Sequence, residues 1–197
     1  INNDMNGYKQ EGFGLMDTTI FDGKRQSTSV TYLHPIKQRQ NLTLITNIQV
    51  LKIIIENSVA IGVEIKNKNK LKKIFADKEV LLSAGAINSP QILMLSGIGP
   101  EEELKNHNIK IISALNGVGK NLQDHLETYV QYECTKPVTL YSSFNPINMA
   151  LIGMQWFLFK KGIAAHSNLE IGGFIRTNEM VDYPNMQYHF FPSLVID

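Results

Sequence analysis

Apolar positions beyond residue 41 come in short runs rich in β-branched side chains, at 42–45, 50–55 and 60–65. Asn47 and the triplet Glu56-Asn57-Ser58 separate them. Two further runs, 71–75 and 79–83, follow a lysine-rich turn. Runs of this length with turn residues between them predict strands joined as hairpins. Val80-Leu81-Leu82 is continuously apolar, which predicts a strand buried on both faces.

The pattern then changes to helical spacing. The run at 79–83 ends in Ala84-Gly85-Ala86. Asn88 or Ser89 suits a helix cap, and Pro90 its first turn. The helix turns Ile92, Leu93 and Leu95 inward and stops at Gly97 or Gly99. A second short helix is predicted over 101–106 and a strand over 109–113. Beyond a soft boundary near 117–125, strands are predicted at 129–134, 170–176 and 185–191, with a helix over 147–161 ending at Gly162. Residues 1–40 are polar, with turn signals at Asn6-Gly7, Gly12 and Gly14. Asp22-Gly23 predicts a tight turn, and 29–38 a short helix.

Composition narrows the function classes. The chain has 197 residues, 43% hydrophobic and 19% charged, with a net charge of +1. Such a chain builds a core without disulfides or metal, and its charge gives no reason to expect nucleic acid as partner. Lys66, Lys68, Lys70, Lys72 and Lys73 alternate with polar residues and read as a solvated hairpin turn. Cys134 has no activating neighbour, so burial in a strand is expected rather than reactivity. The longest apolar stretch, 147–159, is too short to cross a bilayer and reads as a core or interfacial helix. The chain begins at Ile1 and stops after an apolar run, so it reads as part of a longer protein.

The strand, small-residue and helix element around residue 85 carries the candidate chemistry. Small residues let a backbone approach a ligand closely. The helix start beyond them presents free N–H groups and the positive end of the dipole, which suits a phosphate-bearing cofactor. Tight strand–helix packing explains the same residues and is the commoner cause of such a pattern at this level.

The motif itself says more. Gly85-Ala86-Ile87-Asn88-Ser89-Pro90 followed by two aliphatics and Ser96-Gly97-Ile98-Gly99 resembles the second signature of the glucose–methanol–choline (GMC) oxidoreductases. Gly117-Val118-Gly119-Lys120-Asn121-Leu122-Gln123-Asp124-His125 resembles the segment that follows it. Asp4-Met5-Asn6-Gly7-Tyr8, Asp124-His125-Leu126-Glu127 and Gln187-Tyr188-His189-Phe190 resemble the choline-oxidising branch.

The resemblance implies an α/β fold, α+β in part. Residues 1–120 would belong to a Rossmann-like FAD-binding domain and 121–197 to a substrate domain built on an antiparallel sheet. It implies FAD as cofactor, and oxidation of a primary alcohol to an aldehyde, choline to betaine aldehyde. A respiratory chain or oxygen would take the electrons. Val50 would contact the adenine through its backbone, and Ala84 and Gly85 would pack against the dinucleotide. Glu127 would face the trimethylammonium group and His189 the alcohol oxygen. A quaternary ammonium donates no hydrogen bond, so a carboxylate and aromatic faces must hold it. No metal is implied. Leu169 stands where choline-binding relatives carry an aromatic residue, and Glu170 is a second carboxylate without an assigned role. The glycine fingerprint of dinucleotide binding does not occur within the chain, and the family's principal catalytic histidine is expected after residue 197. The chain alone is therefore expected to be inactive. A cytoplasmic location, peripheral on an inner membrane, is compatible with the short apolar helix. Two alternatives stay open: a relative acting on another aliphatic or aromatic alcohol, and a non-catalytic binding module.

Overall fold

A computed structural model describes residues 1–169 and 171–193. Glu170 and the last residues of the terminal apolar stretch lie outside them. The chain divides into two compact units, Thr43–Glu127 and a second made of Ile1–Leu42 with Thr128–Asp197. This division differs from a cut near residue 120, because a strand near the start of the chain pairs with one near its end.

The elements in chain order are β1 (Gly12–Leu15), β2 (Ile20–Phe21), β3 (Lys24–Arg25), β4 (Gln49–Glu56), β5 (Val59–Asn67) and β6 (Lys70–Phe75). Then come α1 (Gly85–Leu95), β7 (Ile98–Gly99), α2 (Glu101–Asn106) and β8 (Ser113–Ala114). The chain continues with α3 (Pro146–Phe159), β9 (Ile171–Ile175) and β10 (Met186–Phe190). A π-turn and a 3-10 turn cover Ser29–Leu33 and His34–Ile36, where a short helix was expected.

In the unit Thr43–Glu127, β4, β5 and β6 form an antiparallel meander. Asn57 and Ser58 both take positive φ, +50° and +65°, which gives the hairpin loop the twist of its strands. The lysine-rich turn joins β5 to β6, and its lysines are exposed. Helix α1 packs on β4. Residues 98–99 and 113–114 form a short parallel pair. Ile53, Ile65 and Leu104 are the buried apolar residues of this unit among those described. Three glutamates open α2, where the helix dipole favours negative charge. Lys105 pairs back to Glu101 at 2.6 Å. That contact, chiefly the hydrogen bond, lowers the Glu101 pKa below the ordinary glutamate value.

Four strand expectations fail here and in the neighbouring segment, the one at 109–113 being a strand only at its last residue, Ser113. Residues 42–45, 79–83 and 129–134 are not strands. Leu81 is 79% exposed, so the expected double burial is absent. A β-strand exists only by pairing, and these three segments pair with none of the described strands. Cys134 shares that fate: it is exposed, not buried in a strand.

In the other unit, β1, β9 and β10 form an antiparallel sheet with β9 in the centre. Gly12 and Gly14 read as turn residues in sequence but lie within β1. The sheet uses its glycines as space. Phe13 and Tyr188 both register with Gly173 and meet across it, their rings 5.6 Å apart. A Cβ at Gly173 would lie 2.4 Å from Phe13 Cδ1. The Asp22-Gly23 turn closes the β2–β3 hairpin with both φ angles positive. Trp156 of α3 donates its indole N–H to the Gly23 carbonyl at 2.7 Å. Asn145 caps α3 by accepting from the Asn148 N–H at 2.9 Å.

Candidate functional site

The stretch from Ala84 to Gly99 has two physically different halves. Its first half is open. Helix α1 starts at Gly85, earlier than the expected cap at Asn88 or Ser89, and Pro90 sits inside it. Ser89 still serves the helix start, because its hydroxyl accepts from the Ala84 N–H at 3.1 Å. Gly85 takes φ +85°, and no atom lies within 4 Å of where its Cβ would be. The helix therefore begins at an exposed, sterically empty position with its early N–H groups forward. That is a cradle a ligand can enter.

The second half is closed. Ser96 is 5% exposed and ends α1. Its hydroxyl donates to the Ile92 carbonyl at 2.6 Å and accepts from the Ile53 N–H at 2.8 Å. Gly97 follows at φ +85°, the left-handed turn that commonly stops a helix. A Cβ at Gly97 would stand 2.4 Å from the Lys110 carbonyl oxygen, and one at Gly99 would stand 2.7 Å from Met94 Cγ. The serine and both glycines are thus explained by packing. The sequence points to Ala84 and Gly85 at the ligand and to Gly97 or Gly99 as the helix stop, and gives Ser96 no role. The available signal was a small hydroxyl residue directly before a helix-stopping glycine.

Val50 lies on β4 and is half-buried. Among the described residues β4 has β5 on one side only, so its other edge offers main-chain groups. Val50, Ala84, Gly85 and Glu127 all fall in the unit Thr43–Glu127. Glu127 is exposed and lies outside regular structure. His189 falls in the other unit, on β10, opposite Gly172 of β9 and on the sheet face away from Tyr188. It is exposed, and Met16 lies over the neighbouring glycine, its sulfur 2.7 Å from where the Gly172 Cβ would be. No group of histidine, cysteine and carboxylate side chains among the described residues is arranged to hold a metal.

A family model described as GMC oxidoreductase matches residues 1–127. The chain belongs to the GMC oxidoreductase family. Its mixture of helices with antiparallel sheets is the α/β architecture of that family's solved members. An FAD-dependent oxidoreductase from Chaetomium thermophilum superposes with a TM-score of 0.74 at 28% identity, over 88% of this chain and 31% of that one. Mitochondrial choline dehydrogenase of Homo sapiens is 48% identical over 197 residues, all of this chain and 33% of the relative. Oxygen-dependent choline dehydrogenase 1 of Chromohalobacter salexigens is 50% identical over 193 residues, 98% of this chain and 34% of the relative. The chain thus spans about a third of the curated GMC relatives it matches.

Proposed function

We propose that the protein carrying this chain oxidises choline to betaine aldehyde with FAD as cofactor. The observation that carries this reading is identity of 48–50% to choline dehydrogenases over essentially the whole chain. The residues present fit the cofactor: the empty, left-handed Gly85 at a helix start suits a phosphate-bearing group. The free edge of β4 suits a backbone contact between Val50 and adenine. When bound, FAD supplies the hydride acceptor at flavin N5. In this reading residues 1–120 contribute to holding it and 121–197 to holding the alcohol.

Glu127 supplies the negative charge opposite the trimethylammonium group. His189 donates a hydrogen bond to the alcohol oxygen, where negative charge grows as its proton leaves. The electrons pass on to a respiratory acceptor or to oxygen. Glu127→Gln should lower kcat/KM for choline about tenfold, or about 1.4 kcal/mol, and barely touch 3,3-dimethyl-1-butanol, its uncharged isostere. Equal losses for both would remove Glu127 from the cation site. Turnover of neutral or aromatic alcohols without choline would reassign the substrate within the family.

For location we propose peripheral membrane contact through α3. Ile147, Leu151, Met154, Phe157 and Leu158 are exposed on it. Lys160 and Lys161 end it, and Trp156 ties it to the hairpin bearing Lys24 and Arg25. Among the described residues no helix is long and apolar enough to cross a membrane. An apolar face beside basic residues suits the surface of an anionic bilayer. The full-length protein should float with anionic vesicles, and Phe157→Asp should abolish it. Failure of the unmutated protein to float would end the proposal.

A further inference from the structure

Among the described residues Ser96 is the polar side chain that is buried. A hydroxyl has one hydrogen to give and lone pairs to receive. Here the hydrogen goes to the Ile92 carbonyl of α1 at 2.6 Å, and a lone pair receives the Ile53 N–H of β4 at 2.8 Å. The second bond spans 43 residues of sequence. Ile53 itself is 8% exposed, so without Ser96 its N–H would be buried with no acceptor. The bond therefore ties the C-terminal end of α1 to the strand that carries Val50.

Helix α1 runs unbroken over 11 residues, Gly85–Leu95, with Pro90 inside it, a short rod whose two ends are linked through its backbone. Gly85 stands at one end and Ser96 just past the other. Fixing one end of the rod against β4 fixes where the other end lies relative to that strand. The two points expected to hold the dinucleotide, Val50 on β4 and Gly85 at the start of α1, thus have their separation set through Ser96. We propose that Ser96 is a positioning residue for FAD: it touches no ligand, and it holds the helix start in register with the strand across which one extended cofactor is bound. This rests on the reading that Val50 and Gly85 contact FAD.

The test uses the full-length protein that carries this chain, stripped of flavin and titrated with FAD. Ser96→Ala is expected to weaken FAD binding about tenfold, because the helix start is then no longer held in place and binding must order it. It should also alter the visible circular dichroism of the flavin that remains. Ser96→Thr, which keeps the hydroxyl, should restore both. Leu104→Val removes a methylene from a fully buried residue on α2, outside this link. It should lower Tm to a similar degree and leave FAD affinity unchanged. Ser96→Cys, nearly the same size with a weaker hydrogen-bonding sulfur, is read the same way if the alanine variant does not fold. Loss of Tm in the Ser96 variants with FAD affinity and dichroism unchanged would overturn the positioning role. So would a loss of affinity no different from that of Leu104→Val. Failure of the unmutated apoprotein to take up FAD would instead remove the cofactor reading itself.

Discussion

Gly85 and Gly97 share a φ of +85°, yet an added methyl group meets empty space at the first and the Lys110 carbonyl, at 2.4 Å, at the second. Alanine at Gly85 pays only the left-handed backbone penalty, about 1–2 kcal/mol. Alanine at Gly97 adds a backbone clash, for a total of about 2–5 kcal/mol. Denaturant titration of the apoprotein should rank the two variants in that order. FAD affinity should rank them in reverse once the differences in stability are accounted for, because the open space at Gly85 is the part expected to receive the ligand. A second residue-scale prediction concerns Glu11. Its carboxylate accepts from Arg176 Nε at 3.1 and 3.2 Å and pairs with a terminal guanidinium nitrogen at 3.1 Å. The Arg176 hydrogen bond, with its charge, holds the Glu11 pKa below the ordinary glutamate value. A carboxylate with a lowered folded pKa contributes stability that is complete above its unfolded pKa and fades as pH falls through the folded one. Stability should therefore decline below the ordinary glutamate range, and Glu11→Gln should flatten that part of the profile. An unchanged acid limb in Glu11→Gln would mean that the pair contributes nothing, as is common for exposed pairs.

Elements whose causes are local were legible in the sequence. The β4–β5–β6 meander follows from β-branched runs with Asn57-Ser58 and the lysine turn between them, and α2 from its three opening glutamates. Helix α3 begins at Pro146 behind Asn145, and Asn145→Ala should cost about 1 kcal/mol in thermal unfolding. Elements whose causes are distant were not legible. Strand β1 hides among turn-like glycines because its reason is Gly173, far along the chain, over which Phe13 lies. Residues 79–83 and 129–134 have the composition of strands, but composition does not supply a partner. The candidate site divides in the same way. Gly85 and its helix could be read from a glycine before a helical pattern. The bond from Ser96 to Ile53 crosses the sequence and became visible only with coordinates.

At the scale of the whole molecule, the chain corresponds to about a third of its relatives and leaves large apolar side chains exposed. Leu126 and Tyr132 are exposed, as are much of α3 and one face of the β1–β9–β10 sheet. Expressed alone, the 197-residue chain should bind a hydrophobic dye strongly, hold FAD weakly and turn over no alcohol. Tight flavin binding by the isolated chain would show that Val50, Ala84 and Gly85 need no help from elsewhere. The central claim concerns the complete protein, and anaerobic mixing of its flavin-loaded form with choline tests it most directly. The account predicts rapid bleaching of the oxidised flavin by choline and slow bleaching by an uncharged alcohol of the same shape. A flavin that stays oxidised with choline, while a neutral alcohol bleaches it, would contradict it.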